Sequence, residues 1–431
     1  MYLLYSALLA IGLLLALPYW IWEMMRHGKY RTAFRERFGK LPKHLTEVSA
    51  RPAIWIHAVS VGEVLAISGL VGELRQAFPQ FRLVISTTTD AGQKLARARF
   101  GEENVFYFPL DFSFAVRPYL RALKPKLIVL AETEFWPNFL RLSHRSGSRV
   151  AVVNARISNR SLPGYRRFQW ALRRILRHVD LFLAQTEEDA TRLRAIGARP
   201  DRVRVSGNLK FDVSLPAPAP IVFSLREAFQ REGAGPVIVC GSTVEGEEQL
   251  LLAAFQTVLA SHPRAVMILA PRHPERFGEV AALLEQLKIP FWRRSSWKDG
   301  TLAGGVLLVD SIGELATLYS LGDLAFVGGS LVPRGGHNII EPAQCGIPIV
   351  VGNHTENFRD IVELFQRHRA VRVADTTTLS QVWTELLAND AERRALGQRG
   401  AESLKTQTGA TQRTLVALQA LLEPASKVGS R

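Results

Sequence analysis

The sequence predicts an α/β protein of two domains, each built on a parallel sheet with helices on both faces. Short and almost wholly apolar runs alternate with longer helical stretches along most of the 431 residues, which is typical of buried parallel strands. The alternation stops in the proline-rich segment DVSLPAPAP at 212–220 and then restarts. A chain of this length also favours two or three domains, at roughly 100–200 residues each.

Ten apolar runs predict the strands, five on each side of the proline-rich segment. They lie at 53–59, 82–87, 126–131, 149–154, 181–184, 237–240, 265–270, 305–309, 324–327 and 348–351. The stretches between and after them predict helices at 63–76, 90–100, 135–146, 168–177, 187–195, 245–259, 274–287, 313–319 and 338–345. We assign a first domain at 26–211, a linker at 212–222, a second domain at 223–402, and a carboxyl-terminal helix and tail at 403–431. Two such domains normally bind ligand in the cleft between them, at the carboxyl ends of their strands.

Composition and charge exclude several classes of protein. With 47% hydrophobic and 22% charged residues, the chain is neither disordered nor a polytopic membrane protein. Its two cysteines, Cys240 and Cys345, exclude a disulfide scaffold and fit a reducing compartment. The net charge of +15 is uneven, because residues 1–210 hold 33 Lys and Arg against 16 Asp and Glu, and residues 211–431 hold 21 against 23. The first half is therefore expected to face nucleic acid, an acidic membrane or a phosphorylated substrate.

The amino-terminal segment 1–25 predicts a membrane-anchor helix. Residues 2–22 carry no charged side chain, and a run of that length can just cross a hydrocarbon core. Aromatic and then basic residues close the segment: Tyr19, Trp20, Trp22, Arg26, Lys29, Arg31, Arg35 and Arg37. This order predicts that the bulk of the protein lies on the cytoplasmic face of a membrane. A buried or monotopic apolar helix is the alternative.

A basic stretch at 160–177 (RSLPGYRRFQWALRRILR) could follow a nucleic-acid backbone. Its apolar residues Phe168, Leu172 and Ile175 recur at helical spacing, which indicates instead an amphipathic helix with a basic face. Beside a membrane anchor, anionic lipid is the better partner, and we expect no nucleic acid.

The motif His57-Ala-Val-Ser-Val-Gly-Glu63 follows the first predicted strand and opens a helix. A carboxylate at the carboxyl edge of a parallel strand is well placed to act as a general base. The helix dipole would lower the pKa of Glu63 unless burial raises it. Ordinary stabilisation of a helix terminus is the alternative.

Two acidic residues, Glu132 and Glu134, end the predicted strand at 126–131, and Lys210 precedes the linker. The two acids could bind a metal, but the spacing is E-x-E, and the His and Cys residues are too dispersed for a zinc pattern. A metal-independent site is favoured. In the alternative interpretation, one Glu caps the following helix and the other pairs with an Arg, while Lys210 is a solvated surface charge.

Two segments of the second half are candidates for binding a nucleotide. Pro271 and Arg272 follow an apolar strand and precede a helix, where Arg can form a two-point contact with a phosphate. The glycines at 328–336 would let backbone N–H groups approach a phosphate closely. Glu341 is spaced to form a hydrogen bond with a ribose. The pattern matches neither a Walker A nor a G-x-G-x-x-G motif, so a ligand-free turn is the alternative.

Taken together, the motifs resemble those of the 3-deoxy-D-manno-octulosonic acid (Kdo) transferases. The resemblance runs in order along essentially the whole chain, through HAVSVGEV, ETEFWPN, VVNARIS, GNLKFD, STVEGEE, PRHPERF, DSIGELA and DLAFVGGSLVPRGGHNIIEPA. It implies a GT-B fold, with two Rossmann-like domains facing across a cleft, the acceptor domain first and the nucleotide-sugar domain second. It also implies an inverting transfer of Kdo from CMP-Kdo to the lipid A precursor, without cofactor or metal, at the cytoplasmic face of the Gram-negative inner membrane.

The resemblance assigns roles to particular residues. Glu63 matches the family's catalytic base, and Glu132 and Lys210 match positions that stabilise the transition state. Three segments match the CMP-binding positions: Pro271 and Arg272; Ile312, Gly313 and Glu314; and Asn338, Ile339, Ile340 and Glu341. Ile339 stands where the family often has Pro, which leaves Asn338 and Glu341 in place.

Two other functions are compatible with the same residues. One is a GT-B transferase that uses a UDP-sugar on another membrane lipid. The other is a non-enzymatic lipid-binding adaptor on a decayed transferase fold, against which the intact Glu63, Arg272 and Glu341 argue.

Overall fold

The computed structural model describes residues 1–27, 34–46, 51–159, 161–213 and 215–423, and of residues 19–27 it describes the backbone alone. Several sequence-based expectations therefore concern groups outside the described part of the chain: the side chains of Tyr19, Trp20, Trp22 and Arg26, residues Lys29, Arg31, Arg160 and Ser214, and the tail at 424–431. The chain forms two compact units, one of residues 1–213 with 407–431 and the other of residues 214–406.

The first unit is built on a parallel sheet, which has seven strands within the described residues, in the order β3-β2-β1-β4-β5-β6-β7. The strands are β1 Ala53–His57, β2 Arg82–Thr87, β3 Val105–Tyr107, β4 Leu127–Ala131, β5 Arg149–Ala155, β6 Leu181–Ala184 and β7 Val203–Val205. The helices are α1 Tyr2–His27, α2 Phe34–Arg37, α3 Lys43–Thr46, α4 Val61–Ala77, α5 Asp90–Phe100, α6 Ser113–Leu123, α7 Pro137–Arg145, α8 Leu162–Arg167, α9 Gln169–Leu176, α10 Glu187–Ala195 and α19 Ala410–Leu422.

The second unit repeats this plan, and its described residues form a parallel sheet of seven strands in the order β10-β11-β9-β8-β12-β13-β14. The strands are β8 Val237–Thr243, β9 Val266–Pro271, β10 Phe291–Arg293, β11 Val306–Leu308, β12 Leu324–Val327, β13 Ile349–Val351 and β14 Arg372–Val373. The helices are α11 Pro220–Glu232, α12 Glu248–Ser261, α13 Arg276–Gln286, α14 Leu315–Leu318, α15 Ile340–Gln344, α16 Arg359–Arg367, α17 Leu379–Ala388 and α18 Asp390–Lys405. The predicted α/β class with two parallel-sheet, Rossmann-like domains is confirmed.

The central strands are apolar on both faces because helices cover both sides of each sheet. Every residue of β1 and β4 is buried, and Ile54 of β1 lies in register with Leu83 of β2 and Leu127 of β4. The carboxyl-terminal helix α19 covers part of the first sheet, where its Leu415 and Leu418 are buried in the same apolar cluster as Ile54. The chain therefore returns to the first unit after completing the second.

The amino-terminal helix α1 contacts the first unit through its first turns. The Tyr2 hydroxyl lies 3.0 Å from His178 Nε2, and Asn138 Nδ2 donates a hydrogen bond of 2.9 Å to Ser6 Oγ. The same helix exposes a set of apolar side chains: Leu3, Leu4, Leu8, Ile11, Leu14, Leu15 and Leu17. Among the residues that the structure describes, no helix is both long enough and apolar enough to cross a membrane. The predicted membrane anchor is therefore not confirmed.

Candidate active site

Polar residues singled out in the sequence lie around the carboxyl edge of the first sheet. Glu63 is in the first turn of α4, which follows β1, and Glu132 directly follows β4. Lys210 lies in a short 3-10 turn, Leu209–Asp212, beyond the end of β7. Because the strands are parallel, their carboxyl ends meet at one edge of the sheet. The structure brings these three residues together there.

The Glu63 carboxylate is almost fully removed from solvent, with only 9% of the residue exposed. It accepts a hydrogen bond of 2.8 Å from the Val59 backbone N–H and one of 3.1 Å from the Ser60 hydroxyl. Burial raises its pKa to about 7, and the nearby carboxyl groups of Glu132 and Glu134 act in the same direction. Desolvation therefore outweighs the two hydrogen bonds, and leaves a group that can exchange a proton near neutral pH.

Glu132 adopts a left-handed backbone conformation, with φ of +57°, immediately after β4. Its backbone N–H donates a hydrogen bond to the Val153 carbonyl at 2.9 Å. Its carboxylate lies 3.7 Å from the Lys210 ammonium group, and each of the two side chains is 25% exposed. A non-glycine residue in this conformation is strained, and here the strain accompanies an ion pair at the sheet edge.

A different acid caps the helix that follows Glu132 and Glu134. The Asp111 carboxylate accepts hydrogen bonds from the Asn138 and Phe139 backbone N–H groups of α7, at 2.9 and 2.7 Å. The interpretation in which one of the two Glu residues caps this helix is therefore wrong. Asp111 satisfies the helix terminus, and Glu132 pairs with a lysine.

Three residues that sequence reasoning missed hold the Lys210 turn. Asn154, the next-to-last residue of β5, adopts a left-handed conformation, with φ of +54°, and its side-chain oxygen accepts the Leu209 N–H at 3.0 Å. The Asn208 side-chain oxygen accepts the Lys210 N–H at 3.0 Å. Asp212 accepts the N–H groups of Gly409 and Thr411 at the start of α19. The polar residues after apolar strands in VVNARIS and GNLKFD were the available signal.

In the second unit, the residues expected to bind a nucleotide gather around the end of β9. The Arg272 N–H donates a hydrogen bond to the Thr243 carbonyl at 2.9 Å. Burial raises the pKa of Glu341, and the positive charge of the Arg272 guanidinium opposes that rise. Burial and the same positive charge lower the pKa of His337 to about 4. Asn338 Nδ2 donates a hydrogen bond of 3.4 Å to Glu341 Oε1. Pro271 ends β9 beside this group.

The other expected nucleotide-binding residues differ in their exposure. Ile312 is 78% exposed and Gly313 has φ of +92°, while Glu314 accepts a hydrogen bond of 2.6 Å from Arg294 Nη2. In contrast, Ile339 and Ile340 are 1% and 2% exposed. The side chains of those two isoleucines are therefore not available to a ligand.

The glycine-rich loop after β12 differs from the sequence-based expectation. The backbone N–H groups of Gly329, Ser330 and Leu331 all donate hydrogen bonds to the carboxylate of Glu247. These three groups are therefore not free to bind a phosphate, because a carboxylate of the chain itself holds them. That part of the expectation is wrong.

Within the described ranges, no three His, Cys, Asp or Glu side chains are grouped so that they could hold a metal ion. The favoured metal-independent site stays a prediction.

Comparison with known proteins connects this geometry to a family. Residues 32–213 match the family model described as 3-deoxy-D-manno-octulosonic-acid transferase (kdotransferase). The chain is 36% identical over 419 residues to the 3-deoxy-D-manno-octulosonic acid transferase of Bordetella pertussis, covering 93% of this chain and 95% of the relative. It is 34% identical over 405 residues to that of Haemophilus influenzae, covering 93% of each. The chain belongs to the Kdo transferase family. It is thus a glycosyltransferase.

The fold of this Kdo transferase also occurs in proteins of distant sequence. A putative UDP-N-acetylglucosamine 2-epimerase from Listeria monocytogenes matches with a TM-score of 0.56 at 15% identity, over 86% of this chain and 96% of that one. At that identity the likeness concerns the fold alone, a pair of Rossmann-like domains as in GT-B enzymes.

We predict that Glu63→Gln stabilises the folded protein above about pH 7. Because the pKa of Glu63 is about 7 when folded, against an ordinary 4.5, the folded state binds the proton more tightly. The contribution of Glu63 to stability is therefore complete below the lower pKa and is lost as the pH rises through 7. The gain for the Gln variant at pH 8 should be on the order of 3 kcal/mol, falling towards zero near the ordinary pKa.

Urea unfolding of the wild type and the Gln variant, at pH 8 and near the ordinary pKa of 4.5, measures this difference in stability. Glu73→Gln is the matched control, because Glu73 is an exposed residue of the same helix and should change stability by less than about 0.5 kcal/mol. A destabilised Glu63→Gln protein at pH 8 would indicate that Glu63 is only a helix-stabilising charge.

Proposed function

We propose that this protein transfers Kdo from CMP-Kdo to a hydroxyl group of the lipid A precursor in lipopolysaccharide biosynthesis, inverting the anomeric configuration without a metal. The observation that carries the proposal is the buried Glu63 carboxyl group, whose pKa of about 7 suits a general base, in a member of the Kdo transferase family. Membership of the family supports Kdo as the transferred sugar. CMP-Kdo and the lipid acceptor come from the sequence resemblance.

In the proposed reaction, Glu63 removes the proton of the acceptor hydroxyl. The acceptor oxygen forms a bond to the anomeric carbon of Kdo, and the bond from that carbon to the phosphate oxygen breaks. Its electron pair leaves with CMP, and the proton stays on Glu63. A base whose pKa lies near the working pH is present in its ionised form and is still basic enough to accept the proton.

Glu132 and Lys210 form an ion pair at the same sheet edge as this base. Lys210 is the member that can offset negative charge, which comes from the donor's own carboxylate and builds up on the leaving phosphate. Glu132 lies 3.7 Å from the ammonium group and keeps Lys210 at the sheet edge. We propose that both act on the transition state through this pair.

The second unit binds CMP in this proposal. Arg272 is the cation for the phosphate, and Asn338 and Glu341 are the polar partners for the rest of the nucleotide. The backbone at Ile312, Gly313 and Glu314 and at Ile339 and Ile340 contributes the remaining contacts. The grouping of Arg272 with Glu341 supports this assignment.

The lipid acceptor accounts for the charge of the first half. The exposed apolar face of α1 and the basic residues of α8 and α9 (Arg166, Arg167, Arg173 and Arg174) are suited to an anionic membrane surface. We propose that the protein associates with the cytoplasmic face of the bacterial inner membrane through these groups.

The direct test is a transfer assay with the purified protein. CMP-Kdo is generated in situ and mixed with tetra-acylated lipid A precursor, and the mass of the lipid is measured. We expect the mass to rise by that of Kdo. A mass gain only with a UDP-sugar would indicate a different transferase, and no gain with either donor would indicate a binding protein.

We predict that Glu63→Ala lowers the rate of transfer by about a thousandfold, because it removes the base. The affinity for CMP, measured by calorimetry, should stay unchanged. Glu73→Ala in the same helix is the control and should retain the wild-type rate. Substantial turnover by the Glu63 variant would exclude Glu63 as the base.

We predict that Arg272→Ala weakens CMP binding by about tenfold or more, because a charged hydrogen bond to phosphate is lost. Calorimetric titration with CMP measures the change. Arg394→Ala serves as the control, because Arg394 has an 80% exposed side chain in the same unit and should leave CMP affinity unaltered. Equal affinity in the Arg272 variant would remove that residue from the donor site.

A further inference from the structure

A second buried carboxylate, Glu247, lies outside the residues assigned to the reaction. It occupies the turn between β8 and α12, directly before the first residue of α12, and is 0% exposed. Within the described part of the chain, no hydrogen bond or ion pair joins it to a basic side chain. Its charge is balanced instead by backbone groups.

Four backbone N–H groups donate to the two oxygens of Glu247. Oε1 accepts from Ser330 at 2.9 Å and Leu331 at 2.8 Å, and Oε2 accepts from Gly329 at 2.7 Å and Val244 at 3.1 Å. Successive N–H groups that converge in this way form an anion-binding concavity, which needs a left-handed residue. Gly329 provides it with φ of +71°. The concavity is thus filled by an anion that belongs to the chain.

Further hydrogen bonds extend from this loop to neighbouring segments. The Gly336 N–H donates to the Gly329 carbonyl at 2.7 Å, and the His354 N–H donates to the Ser330 carbonyl at 2.9 Å. The Ser330 hydroxyl accepts the Gly352 N–H at 2.8 Å. Glu247 therefore holds Gly329, and Gly329 in turn holds Gly336. Because Gly336 is two residues before Asn338, these contacts set the path of the chain into the segment 338–341.

The residue next to Glu247 holds the other candidate nucleotide-binding segment. The Glu248 carboxylate accepts a hydrogen bond of 2.9 Å from Arg276 Nη2, and Arg276 begins the helix that follows Arg272. The Arg272 N–H bonds to the Thr243 carbonyl, in the same turn. The turn at 243–248 therefore contacts both segments at once.

We propose that Glu247 is a positioning residue, an internal anion that shapes the loop at 328–336, and with it the segment 338–341, before the nucleotide binds. This inference rests on the proposed function, since the shape of the loop matters to catalysis only if the donor binds there. Glu247 touches no ligand in this scheme. It acts through the backbone of the loop.

Two substitutions separate the effect of the Glu247 charge from the effect of the side chain's shape. In Glu247→Gln, an NH2 group replaces one acceptor oxygen and faces N–H donors, so at least one buried donor loses its partner. In Glu247→Asp, both acceptor oxygens remain, although the side chain is shorter. The control is Glu285→Gln in the same unit, because Glu285 is an exposed residue of α13.

The experiment compares the three variants with the wild type by CMP calorimetry and by the KM values for donor and acceptor. We expect Glu247→Gln to weaken CMP binding and raise the donor KM by about tenfold or more, with the acceptor KM unchanged. Glu247→Asp should recover part of the affinity, and Glu285→Gln should match the wild type. A folded Glu247→Gln protein with wild-type CMP affinity would overturn the inference. Failure of the wild type itself to bind CMP would instead refute the proposed donor.

Hydrogen exchange on the unaltered chain tests the same inference, and it decides the question if the Gln variant does not fold. The amides of Gly329, Ser330 and Leu331 should already be protected in the free protein, and CMP should add little protection. Amides that exchange freely until CMP is added would show that the nucleotide, rather than Glu247, organises the loop.

Discussion

A carboxylate that leaves water must either gain hydrogen-bond donors or shift its pKa, and the two units meet this constraint differently. Glu63 has one backbone N–H and one hydroxyl as donors, and burial raises its pKa to about 7. Burial also raises the pKa of Glu247, but four backbone N–H groups oppose that shift. The weakly held carboxylate is suited to exchanging a proton. The strongly held one is suited to fixing the loop around it.

The parallel sheets decide which residues can meet. Glu63 and Lys210 are far apart in sequence, yet each follows a strand of the same sheet, and the carboxyl ends of those strands share one edge. Left-handed residues adjust the geometry at that edge: Glu132 turns immediately after β4, and Asn154 binds the turn that contains Lys210. The strain at Glu132 is therefore part of how the site is assembled.

The sequence predicted the elements whose pattern is long and uniform. The five- to seven-residue strands such as β1 and β5 follow from unbroken apolar runs, whereas β3, β7, β10 and β14 have only two or three residues and were not predicted. Helix α6 was also missed, since Pro118 lies inside it. In the site, the sequence could indicate Glu63 as a candidate base, but not the direction of its pKa shift, which depends on burial. Nor could it show that an internal carboxylate occupies the glycine-rich loop, because that contact joins residues more than eighty positions apart.

The central claim is that a buried Glu63 with a pKa of about 7 is the base for Kdo transfer. The most direct measurement is kcat/KM for transfer to the lipid A precursor as a function of pH, from about pH 5 to 8.5. The ionised form is the active one, so kcat/KM should rise about tenfold per pH unit at low pH and level off above about 7. A value of kcat/KM that is constant across this range, or that falls as the pH rises, would contradict the claim.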